Sequence, residues 1–136
     1  MIRFFLCICF LICQTASAQT WLHVGGLSWH DQPGFNNSNP GIGLERLVTN
    51  KWSVALGTYQ NSDYQTSLYA TGKYHWWYQN GLAINLNLGV ATGYTAYPLV
   101  PMLVPEFCWH WVCGMVMPAV NPNGASALAA YLRLPF

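Results

Sequence analysis

The side chains best suited to chemistry sit in one polar stretch, Tyr59-Gln60-Asn61-Ser62-Asp63-Tyr64-Gln65-Thr66-Ser67. It interrupts a chain that is 53% hydrophobic and only 7% charged. Ser62 lies between an amide, Asn61, and a carboxylate, Asp63. A serine beside such groups is the raw material of a nucleophile or a general base. What it lacks locally is a histidine to take its proton. His30, which closes an apolar run from Trp21, is the candidate.

A His, a Ser and an amide or carboxylate form the set used for acyl transfer. Asn, Ser and Asp are also ordinary loop residues, so composition does not separate the two readings. No cysteine–histidine spacing points to a metal, and no phosphate-cradling loop points to a nucleotide. The expected site therefore uses no cofactor.

The elements that position these residues read as strands. Residues 1–18 resemble a cleaved signal peptide, with Arg3, an apolar core from Phe4 to Cys13, and Ala16-Ser17-Ala18. Residues 19–136 then form a single domain. Its four basic and four acidic residues balance. That balance excludes nucleic acid as a partner, because nucleic acid needs a basic face. Soluble domains carry about 25% charged residues. A chain with 7% has either lipid or partners as its outer solvent.

Alternation with period two runs through the chain. Ser67, Tyr69, Thr71, Lys73 and His75 share one face, and Leu68, Ala70, Gly72, Tyr74 and Trp76 share the other. Leu82, Ile84, Leu86, Leu88 and Val90 oppose Ala83, Asn85, Asn87, Gly89 and Ala91. Apolar residues against small or polar ones fit a barrel with lipid outside and a filled lumen inside.

Eight strands follow: Trp21–His30, Gly41–Val48, Trp52–Tyr59, Ser67–Tyr78, Leu82–Ala91, Leu99–Val104, Phe107–Met117 and Ala125–Phe136. All are joined by hairpins, giving an all-β, eight-stranded antiparallel barrel of the outer-membrane type, expected to be monomeric. Pro101 and Pro105 suggest a sixth strand that is locally unpaired. Cys108 and Cys113 fall on opposite faces of one seventh strand, which disfavours a disulfide between them. Glu45, Lys73 and Arg133 point inward by parity and suggest a lumen ion-pair network. Trp76, Trp77, Tyr78, Trp109 and Trp111 suggest an interfacial girdle at the inner end.

With both termini on one side, the connections 31–39, 61–66, 94–98 and 118–124 share the opposite, outward rim. His30 and Asn61-Ser62-Asp63 then meet at one end of the barrel.

At these residues the chain resembles the outer-membrane lipid A palmitoyltransferase family (PagP), as a short divergent member. Leu22-His23-Val24-Gly25-Gly26-Leu27-Ser28-Trp29-His30 resembles the family's first strand, which ends in Thr-Trp-His. Asn39-Pro40-Gly41-Ile42-Gly43-Leu44 resembles its second. Leu88-Gly89-Val90-Ala91-Thr92-Gly93-Tyr94-Thr95-Ala96 resembles its fifth, and Pro98-Leu99-Val100-Pro101-Met102-Leu103-Val104-Pro105 its sixth. Tyr131-Leu132-Arg133-Leu134-Pro135-Phe136 resembles the closing strand.

The resemblance implies a bacterial outer-membrane enzyme that moves an acyl chain from a phospholipid to lipid A. His30 and Ser62 match the catalytic His and Ser of the family. The family's catalytic Asp falls on Asn61, with Asp63 or Asp31 as substitutes. The family's amphipathic helix before strand one has no counterpart in Gln19-Thr20. The glycine that floors the family's acyl pocket falls on Lys73, or on Tyr74 after a one-residue slip. This implies a chain shorter than palmitate, or weak selectivity for chain length if that floor is lost. Two rivals are a non-catalytic outer-membrane barrel, used for lipid binding or adhesion, and a soluble secreted barrel.

Overall fold

The computed structural model describes residues 19–119 and 124–136. The signal-peptide expectation and part of the 118–124 connection lie outside the described residues. Eight strands close a barrel in simple sequence order, every neighbour antiparallel. They are β1 (Thr20–His30), β2 (Gly41–Thr49), β3 (Trp52–Gln60), β4 (Thr66–Gln79), β5 (Leu82–Thr92), β6 (Leu99–Trp109), β7 (Val112–Met117) and β8 (Ala127–Pro135). A closed barrel leaves no free sheet edge, so all backbone groups of a complete ladder pair within the wall.

The inside of this barrel is polar and its outside apolar. Glu45, Lys73, Glu106, Ser53, Asn85 and Asn87 are buried in the lumen, whereas Leu56, Leu68, Leu103 and Leu27 are exposed. Lys73 Nζ lies 2.9 Å from both Glu45 Oε2 and Glu106 Oε1. Arg133 grips Glu45 with two bonds, Nε to Oε2 at 2.9 Å and Nη2 to Oε1 at 2.7 Å. Tyr131 donates to Glu106 Oε2 at 2.7 Å, and Asn85 and Asn87 donate to the same carboxylate. Among the described residues no buried side-chain polar atom is left without a partner. Such saturation is required where unpaired buried charge is costly.

Three expectations are corrected here. First, β6 does not end at Val104. It runs to Trp109 and pairs with β5 along its whole length, through both prolines. The prolines are tolerated because β6 pairs with β7 only over Glu106–Trp109, which leaves Leu99–Pro105 partnered on one side alone. Glu106 is thus a lumen residue and not part of an inner turn.

Second, Phe107–Met117 is not one strand. A two-residue turn at His110-Trp111 splits it, with His110 in the left-handed region at φ 52°. Third, that turn sets Cys108 directly opposite Cys113, and the two form a disulfide with Cα atoms 4.0 Å apart. Parity along one strand does not apply to residues facing each other across a hairpin.

A bulge between Val24 and Leu27, against β8, places the first site residue. Gly25 takes φ 73° there, a conformation that a side chain disfavours. The extra residue reverses the alternation of β1. Trp21 and His23 are buried before it, and His30 is buried after it. A regular strand would put His30 on the same outer face as Leu22 and Val24.

Candidate functional site

Two connections build the site at the end of the barrel where β1 and β3 stop. The first is 31–40, which follows His30. The second is 61–65, which follows β3 and carries Ser62. Asn36 ties them together. Its backbone N–H donates to the Ser62 carbonyl at 2.8 Å, and its Nδ2 donates to the Asn61 carbonyl at 3.2 Å. Its Oδ1 accepts the Ser38 N–H at 3.0 Å, closing a local turn.

His30 Nε2 lies 2.7 Å from Ser62 Oγ, and His30 Nδ1 lies 2.8 Å from Asn37 Oδ1. An amide oxygen only accepts, so Nδ1 carries the ring proton toward Asn37. Nε2 then presents a lone pair to the Ser62 hydroxyl. This is the tautomer that a general base for serine requires. Phe35 stacks on the imidazole with ring centroids 5.1 Å apart and holds its plane. His30 is buried and Ser62 half-buried.

The other candidates from sequence stand elsewhere. Asn61 is fully buried, donating to Ser67 Oγ at 3.0 Å and to the Gly93 carbonyl at 2.8 Å. Its Oδ1 accepts the N–H groups of Asp63 and Gln65, each at 2.9 Å. Asn61 therefore shapes the turn that displays Ser62 and makes no bond to His30. Asp63 Oδ2 accepts the Thr95 N–H at 2.8 Å, tying its loop to the next connection. Asp31 Oδ1 accepts the Ser126 N–H at 3.0 Å. The group that orients His30 is Asn37, which the sequence reading did not single out. Its only sequence signal is membership of the Asn36-Asn37-Ser38-Asn39 cluster.

Below Ser62 the lumen holds a cavity of about 110 Å³. Ser62, Tyr59 and Tyr94 line its upper part, Met102, Met115 and Met117 one wall, and His23, Tyr69, Tyr131 and Glu106 are also in its lining. Tyr59 and Tyr94 hydroxyls meet at 2.7 Å. Burial pushes the Tyr94 phenol well above its usual range, so it stays neutral. Tyr69 crosses the inner face over Gly43 and Gly57, where any Cβ would collide with its ring. His23 Nδ1 accepts from the Tyr69 hydroxyl at 2.9 Å, while His23 Nε2 donates to Glu45 Oε2 at 2.8 Å.

Lys73 is not in the cavity lining but beside it, inside the ion-pair network. Tyr74 faces outward, 5.1 Å between ring centroids from Trp52. Neither side chain lines the cavity, because Lys73 is drawn to Glu45 and Glu106 and Tyr74 packs against Trp52; Tyr69 and Tyr131 are in the lining instead. Glu106, Cys108 and Cys113 could converge on a metal ion by distance alone. The disulfide and the bonds that already saturate Glu106 leave no free ligand there.

No protein-family model matches the chain, and no curated protein matches it. Among solved structures it is similar to the solution NMR structure of the de novo designed TMB2.3. The TM-score is 0.61 at 16% identity, covering 89% of this chain and 97% of that one. This likeness establishes the fold: the chain is a closed eight-stranded antiparallel β-barrel.

Proposed function

We propose that this barrel is an outer-membrane acyltransferase that takes a fatty acyl chain from a phospholipid and passes it to a lipid hydroxyl. Lipid A is the acceptor that the family resemblance implies. The observation that carries the reading is the pair His30 Nε2–Ser62 Oγ, 2.7 Å apart at an apolar cavity.

The steps follow from that geometry. The acyl tail occupies the cavity and sets the donor ester at Ser62. Ser62 Oγ attacks the ester carbonyl as His30 Nε2 takes its proton. The tetrahedral adduct collapses to an acyl-serine, and His30 returns the proton to the departing lysophospholipid hydroxyl. An acceptor hydroxyl then gives its proton to His30 and attacks the acyl-serine carbonyl; the bond from the acyl carbon to Ser62 Oγ breaks and His30 returns the proton to that oxygen. Among the backbone N–H groups of Asn61 to Gln65, only that of Ser62 has no protein acceptor among the described residues. It is suited to bind the oxyanion.

The membrane setting is supported by the ring of exposed leucines around a closed wall and by the exposed Trp76, Trp77, Tyr78, Trp109 and Trp111 near the opposite end. The cavity also touches Gly26 and Leu27 of β1 and Ile42 of β2, next to the stretch where the β1–β2 ladder stops at Val24–Ile42.

The test is transfer of a labelled acyl chain in detergent micelles. Ser62→Ala and His30→Ala should each abolish transfer with the barrel still folded, and the double variant should lose no more than either alone. Unchanged transfer in either variant contradicts the reading. The rival, a lipid-binding barrel without catalysis, is favoured by one observation: His30 is oriented by an amide and not by a carboxylate. That rival predicts donor binding with no lysophospholipid formed.

A further inference from the structure

The placement of charge restricts the acceptor. Arg46, Lys51, Lys73 and Arg133 are the cations of residues 19–136. None is on the rim that carries Ser62. Lys51 sits in the β2–β3 turn at the other end, and Arg46 pairs with Thr20 near the start of β1. Lys73 and Arg133 are consumed by Glu45 and Glu106 inside the wall. Lys73 lies seven residues and Arg133 six residues from the rim end of its strand, about 20 Å along the chain at ~3.3 Å per residue.

The outward connections contain two charged residues, Asp31 and Asp63, both acidic. The 118–124 connection, by sequence, carries no charge. Phosphate groups are normally held by Arg or Lys, or by a helix N-terminus. The described residues form no helix. A doubly phosphorylated headgroup approaching Ser62 would meet like charge and no counter-charge. The same rim offers uncharged donors and acceptors at Gln32, Asn37, Ser38 and Gln65, with exposed Tyr64 and Tyr97 as flat faces. Hydroxyl groups of a sugar or polyol suit that surface.

Resting on the acyl-transfer reading but not on its acceptor, we infer that the acceptor is a lipid with an uncharged, hydroxyl-bearing headgroup, in preference to a phosphorylated one. The test uses the purified full chain in non-ionic detergent with EDTA and a labelled phosphatidylcholine donor. Bis-phosphorylated lipid A and its dephosphorylated form compete as acceptors. Transfer to the dephosphorylated form should be greater by about tenfold or more, a modest difference in transition-state binding. Asp31→Asn with Asp63→Asn should narrow the gap, since each amide oxygen still accepts its loop N–H.

Equal or better use of the phosphorylated form, with donor cleavage still dependent on Ser62, overturns this inference and leaves acyl transfer standing. Absence of any Ser62-dependent cleavage of the donor overturns the acyl-transfer reading and this inference with it.

Discussion

At the scale of residues, the proposed chemistry depends on one tautomer of His30. Asn37 sets it by accepting the Nδ1 proton. Asn37→Ala should lower kcat on the order of ten- to a hundredfold, within the range of general-base effects, with little change in KM. Asn37→Asp keeps the acceptor and adds charge to stabilise the imidazolium, so it should retain activity or exceed it. A steady-state rate series checks both. Equal, unselective loss of stability and KM in all Asn37 variants would reduce Asn37 to a loop brace. Asn61→Asp is expected to lower stability without gain in rate, since its new oxygen would face the Gly93 carbonyl now bonded by Nδ2.

His30 and Ser62 were legible because their types fit a known chemistry and because strand count put them on one rim. Asn37 was not legible. Nothing in Asn36-Asn37-Ser38-Asn39 says which amide turns toward the histidine and which ties the loop. The inward turn of His30 was also hidden, because it depends on the Gly25 bulge and not on parity.

At the scale of elements, strands with one polar and one apolar face announced themselves. β4 and β5 are the clearest cases. β6 and β7 were misread for a physical reason. The His110-Trp111 turn uses no Gly, Pro, Asn or Asp, the usual turn residues, while the prolines that looked like breaks lie within a paired strand. The hairpin has little ladder of its own, so the disulfide matters there. For its loop of six residues, chain entropy puts the staple at about 2 kcal/mol. A Cys108→Ser, Cys113→Ser double variant should unfold at lower denaturant by that amount, with β1–β5 unaffected. An unchanged midpoint would show that the lumen network alone holds the hairpin.

That network is the second test at this scale. Lys73→Met leaves Glu45 and Glu106 with one cation fewer in a buried site. Breaking a buried pair costs about 3–5 kcal/mol. The variant should refold poorly, and Lys73→Gly is not a clean way to deepen the cavity. Tyr69→Ala is the better probe. Four residues, about 13 Å of strand at ~3.3 Å each, separate Ala127 at the rim from Tyr131 in the cavity lining. The unmodified protein should prefer an acyl chain shorter than palmitate. Removing the Tyr69 ring should shift the optimum to longer chains, each further buried methylene contributing about 0.8 kcal/mol. A donor series of increasing chain length measures the shift. An optimum that stays in place would move the floor elsewhere.

At the scale of the whole molecule, one closed wall separates an apolar exterior from a lumen where, among the described residues, every buried polar side chain is satisfied. The low charge content pointed to such a wall from sequence alone. In the proposed reaction the cavity below Ser62 takes the tail and the rim that carries Ser62 meets the headgroup. The most direct measurement of this account is mass spectrometry of lipids from vesicles reconstituted with the full barrel, a phosphatidylcholine of defined tails and a hydroxyl-bearing acceptor lipid. The account predicts a lysophospholipid lacking one tail, together with a product that carries it, both lost in Ser62→Ala and in His30→Ala. A lysophospholipid that forms equally with the wild type and both variants, or that never forms, would contradict it.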